Sequence, residues 1–81
     1  MATEGLLEVR LKCLDEESAK KVVEETEKVP AARKGSNSAI QEGSYVVISY
    51  SNKMWPYDIA DMAADSGLAS DEDAAAVFAC L

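Results

Sequence analysis

Residues 6–14 alternate between apolar and charged positions. Leu7, Val9, Leu11 and Cys13 fall on one side, and Glu8, Arg10 and Lys12 on the other. A period of two with one charged side predicts a strand that lays one face on a core. Asp15 then stands at a helix N-cap position, with Glu16 and Glu17 in the first turn. A carboxylate there accepts backbone N–H bonds and suits the positive end of the helix dipole. Ala19, Val22, Val23 and Thr26 follow at helical spacing, Lys28 sits in the last turn, and Pro30 stops the run. The pattern predicts a helix over about 15–28, with Glu16–Lys20 and Glu17–Lys21 as i,i+4 ion pairs.

Residues 30–38 are the loosest stretch, and Ser36–Gln41 reads as a short strand. Glu42-Gly43 signals a tight turn. Ser44–Ser51 is rich in β-branched and aromatic residues, so it predicts a strand. Val46, Ile48 and Tyr50 form one of its faces and Tyr45, Val47 and Ser49 the other. Both are partly apolar, so the strand should be central or covered on both sides. Pro56 fits the first turn of a second helix, where its missing N–H costs nothing. Trp55, Ile59, Met62 and Ala63 line one stripe of it, and Ser66-Gly67 reads as its C-cap. Ser70 with Asp73 three positions on opens a last helix, Asp71–Cys80, whose apolar side is Ala74, Val77, Phe78 and Leu81.

The order β-α-β-β-α-α predicts a small two-layer α+β domain over residues 1–81. A three-stranded sheet, antiparallel or mixed, would carry the helices on one face. The order is similar to half of a split ferredoxin-like arrangement. Trp55 and Tyr50 are expected in the core. Tyr45 and Tyr57 become candidate interface anchors if they are exposed.

Length and composition narrow the classes. At 81 residues, 48% of them hydrophobic, one compact domain with a small core is the expectation. A chain this short invites a partner or a second copy of itself. No apolar run approaches the ~20 residues of a membrane span. Met1-Ala2-Thr3-Glu4-Gly5 lacks the basic start of a signal peptide, so a cytoplasmic protein is expected. Cys13 and Cys80 are too few for a disulfide scaffold or a Cys-rich zinc site, and read as two half-buried thiols. With no histidine, conventional triads and most catalytic zinc sites drop out.

Charge placement is the informative feature. Residues 1–40 hold eight acids and seven bases, a net of −1. Residues 41–81 hold seven acids and Lys53, a net of −6. Asp58, Asp61 and Asp65 fall at i, i+3 and i+7, on one helix face, and Asp71, Glu72 and Asp73 open the next helix. A plain solvated face is one reading. A docking surface for a protein with a basic surface is the sharper one, with Tyr57 beside it as an anchor. Carboxylates at this spacing also imitate nucleic-acid phosphates, so the domain would act as an inhibitor. Direct nucleic-acid binding is disfavoured, because a net charge of −7 repels phosphate.

Three further chemistries carry less weight. Asp65-Ser66-Gly67 and Asp71–Asp73 offer oxygen ligands for a divalent cation, but the EF-hand spacing is absent, so no metal residues are assigned. Paired carboxylates for glycoside chemistry lack a cleft and a nearby base to orient a substrate. Arg33-Lys34-Gly35-Ser36 lacks the spacing of a phosphate-binding loop. The expectation is a non-enzymatic protein-binding domain without a cofactor. The alternatives are a structural subunit or homodimer joined by strand-edge pairing through Ser36–Gln41 or the first strand, and a weak divalent-cation binder.

Overall fold

The computed structural model of the protein describes residues 6–30 and 35–81. Three strands, β1 (Leu7–Lys12), β2 (Ser38–Glu42) and β3 (Tyr45–Tyr50), form one open sheet in the order β1-β3-β2, antiparallel throughout. Three helices, α1 (Glu16–Glu27), α2 (Met54–Asp65) and α3 (Asp71–Cys80), complete the order β-α-β-β-α-α. This is the small α+β domain that the hydrophobic pattern predicts.

The register decides the faces. Val9, Ile48 and Ala39 lie side by side, as do Leu11, Val46 and Gln41. Of these rows Val9, Leu11, Val46 and Ile48 are buried in the core with Cys13, Ala19, Val22, Tyr50, Trp55, Ile59 and Val77. Here α1 packs against β2 and β3, α2 against β3 and α3, and α3 against β1. The opposite face carries Glu8, Arg10 and Lys12 from β1, with Tyr45, Val47 and Ser49 from β3. Ser38, Ile40 and Glu42 of β2 complete it. Arg10 reaches over β3 to Glu42, N to O 3.2 Å. Arg10 stands opposite Val47, which is only 4% exposed although among the described residues no helix packs on that face. The expectation of a central β3 is met.

Local chemistry places the helix ends. The Asp15 carboxylate accepts the Ser18 N–H at 2.8 Å, the N-cap bond that its position predicts. At α2 the N-cap residue Lys53 makes no side-chain cap bond; Asn52, one position earlier, accepts the Met54 N–H on its Oδ1 at 2.8 Å. The end of α2 is a Schellman motif. Gly67 has φ +73°, its N–H donates to Ala64 O, and the Leu68 N–H reaches back to Ala63 O. Ser70 is the N-cap of α3 and pairs with Asp73 three positions on. The Asp73 N–H donates to Ser70 Oγ, and the hydroxyl donates to the Asp73 carboxylate. Gly43, with φ +61°, turns the hairpin between Glu42 and Tyr45.

Several expectations shift. Leu7 has core-side parity but is 55% exposed, because it sits at the sheet's end. β2 runs Ser38–Glu42, starting two residues and ending one residue later than read. Glu16–Lys20 and Glu17–Lys21 do not close; the ion pair at the end of α1 is Glu25–Lys28 at 2.6 Å. Neither thiol is half-buried: Cys13 is buried, Cys80 is exposed, and both are free. Met1–Gly5, Arg33 and Lys34 lie outside the described residues. Among the described residues no helix is long and apolar enough to cross a membrane.

Candidate docking site

Helix α2 presents three distinct sides. At about 100° per residue, Trp55, Ile59 and Ala63, with Pro56 and Ala60, turn inward and are buried. Asp58, Asp61 and Asp65 turn to the far side, and all three are exposed. Met54 shares that outer side and is 58% exposed. Among the described residues none of these carboxylates has a cation within ion-pair distance; the ion pairs there are Arg10–Glu42 and Lys28–Glu25.

The acidic stripe has an aromatic shoulder toward α3. The Tyr57 ring lies on Phe78, with centroids 4.6 Å apart and an interplanar angle of 31°. Tyr57 is still 46% exposed, so one side of its ring is held by Phe78 while much of the residue faces solvent. Tyr45 lies elsewhere, on the open sheet face beside Val47 and Glu42. The two tyrosines therefore do not form one site.

On the other shoulder, toward α1, a cleft of about 460 Å³ opens beside Asp58. Trp55, Ile59, Met62 and Val29 give it apolar walls, and Glu25 and Asp58 contribute carboxylates. Asn37 and Asn52 also line it. Each uses its Oδ1 to accept a backbone N–H, from Ser51 and Met54 respectively, which leaves the amide NH₂ groups as donors. The Trp55 indole N–H is committed to Ser38 O at 3.3 Å, which ties β2 to α2 behind the cleft. The sequence alone does not reveal this cleft, because the end of α1, the start of β2 and the start of α2 assemble it. Its one local trace is the Met54-Trp55 pair beside an asparagine.

The second acidic group is not uniform. Asp71 and Glu72 are exposed in the first turn of α3. Asp73 is half-buried, and its carboxylate already takes the Ser70 hydroxyl at 2.9 Å. Together with Asp15 it adds to the burial that pushes the Cys13 thiol up to about 11. Asp73 therefore works inside the fold, and the accessible set is Asp58, Asp61, Asp65, Asp71 and Glu72. Among the described residues no three acidic or cysteine side chains converge as a metal-ligand group.

Compared with models of protein families, with curated proteins and with solved structures, the chain finds no match.

Proposed function

We propose that the protein is a small non-enzymatic binding domain whose α2–α3 side docks on a basic surface of a protein partner. The observation that carries this reading is the outer side of α2, where Asp58, Asp61 and Asp65 stand exposed with no cation within ion-pair distance among the described residues. From Met54 onward the chain holds six acids and no base. A solvated face needs no apolar neighbours, whereas this stripe has Met54 on it, Tyr57 on one shoulder and the Trp55–Met62 cleft on the other. A partner's lysine or arginine would lay its aliphatic stem in that cleft and its charge against Asp58. Basic surfaces that take such a row of carboxylates also take phosphates, which favours a nucleic-acid-binding protein as the partner class. The domain would then inhibit by occupying that surface.

The test compares the wild-type chain with the triple variant Asp58→Lys, Asp61→Lys, Asp65→Lys as bait, at low and high salt. Circular dichroism checks that the variant is folded. Bound proteins are identified, and each is then challenged with excess nucleic acid. The proposal expects capture that salt weakens, that the triple variant loses, and that nucleic acid displaces. Equal recovery by both baits would refute it.

A further inference from the structure

The outer edge of β1 carries a self-complementary pattern that is independent of the acidic stripe. The Cys13 N–H donates to Ser44 O at 2.8 Å, in line with the register that sets Leu7 opposite Tyr50 and Leu11 opposite Val46. Residues 7, 9, 11 and 13 therefore spend their backbone groups on β3. Glu8, Arg10 and Lys12 turn theirs outward, three N–H and three C=O groups that no described element pairs. A row of this kind is a template for another strand.

We propose that the occupant is a second copy of this chain, paired antiparallel through β1 with Arg10 opposite Arg10 across a two-fold axis. This register pairs all six outward groups of each copy within β1 itself. A shift of two residues in either direction brings Leu6 or Leu14, outside β1, into the pairing. The Arg10–Arg10 register sets Glu8 opposite Lys12 of the second copy, and does so twice, which is the favourable cross-strand charge order. The one like-charge contact, Arg10 with Arg10, is relieved within each copy. The guanidinium leans away from the edge to Glu42, 3.2 Å from its carboxylate. Leu7, 55% exposed, faces Cys13 of the second copy in this register. The free edge stops at Lys12, because the Leu14 N–H is already donated to Leu68 O at 3.0 Å. Beneath β1 the neighbouring helix is α3, whose exposed positions are Asp71, Glu72, Ala75, Ala76, Ala79 and Cys80.

Sedimentation velocity on the full chain, from micromolar to millimolar concentration and at low and high salt, tests the proposal. A dimer is expected at both salts, because backbone hydrogen bonds are little screened. The acidic docking is expected to fail at high salt, so the two readings fail separately. Glu8→Lys places two like-charge pairs at the dyad, and so does Lys12→Glu. Each should weaken self-association about tenfold. Mixing the two variants should restore wild-type affinity as a heterodimer, and the double variant E8K/K12E should restore it as a homodimer. A wild-type chain that stays monomeric throughout overturns the proposal. A dimer that neither variant weakens, or that mixing does not rescue, overturns the register.

Discussion

Neighbouring residues of β3 give the sharpest test of how the two faces of the sheet are stabilised. Ile48 is fully buried on the helix-covered face, while Val47 is 4% exposed on the open one. Ile48→Ala removes three carbons, about 2.4 kcal/mol at about 0.8 kcal/mol each. The helices close over that site, so a cavity term adds to it, and the expected loss is about 3–4 kcal/mol. A domain of this size has roughly 4–12 kcal/mol in total, so this single change takes a large share. Val47→Ala removes two carbons, at most about 1.6 kcal/mol. Water and the Arg10 stem can fill the gap, so the expected loss is about 1 kcal/mol. Arg10 stands opposite Val47 and reaches on to Glu42, so Arg10→Ala should expose the valine, and the double variant should cost less than the sum of the two. Urea unfolding followed by Trp55, the single tryptophan and a core residue, reads the four variants against the wild type. The reasoning fails if Val47→Ala costs as much as Ile48→Ala to within about 0.5 kcal/mol. It fails equally if Arg10 and Val47 act additively.

Three other expectations follow from local chemistry. Gly67→Ala forces a Cβ into a backbone at φ +73°, and should cost about 1–2 kcal/mol in urea unfolding; a change near zero would remove the Schellman assignment. The Cys13 thiol, raised from 9.0 to about 11 chiefly by burial, stays protonated in the folded chain while the unfolded one ionises. Folding stability should therefore decline as pH rises from about 9 to 11, less steeply in Cys13→Ala, and only Cys80 should react quickly with a disulfide reagent at neutral pH. The Asp15 carboxyl is held below its ordinary 3.8 by the Ser18 N–H, so the cap's contribution is complete above that range and is lost as pH falls through the lowered value. The melting-temperature gap between wild type and Asp15→Ala should close in acid, and a gap that is equal at both ends of the range contradicts the capping account.

Most of this fold was legible because its signals are local. Alternation at Leu7–Cys13, the β-branched run at Val46–Ile48 and caps at Asp15, Gly67 and Ser70 each act within a few residues. The misses are those that depend on distant partners. Nothing near Val47 says that Arg10 will reach Glu42 across it. Nothing near Leu7 says that the sheet ends there. The acidic stripe was legible as a helical spacing, but Asp73 shares its composition and not its role, because the Ser70 hydroxyl and burial near Cys13 claim it. The cleft beside Asp58 needed the folded chain, since its walls come from three separate elements.

The two proposed surfaces, taken together, have a consequence that neither has alone. Each copy would contribute its three helices to the same side of a continuous six-stranded sheet, since strands paired antiparallel keep opposed residues on one face. With α3 packed on β1, the two α3 helices would lie nearest the dyad, and each α2 would follow on the far side of its own α3. Both stripes of Asp58, Asp61 and Asp65 would then face the same way on one rigid body. Two linked sites can raise avidity by roughly 10²–10⁴ with no new contact, provided one partner can engage both. A partner with repeated basic sites should therefore be captured less well by Glu8→Lys, although that substitution leaves every acid of α2 and α3 in place. Surface plasmon resonance at low and high partner density measures it. The variant should match the wild type at low density and dissociate faster at high density. Equal dissociation at both densities would leave the acidic stripe as a single-site surface, whatever the chain's oligomeric state.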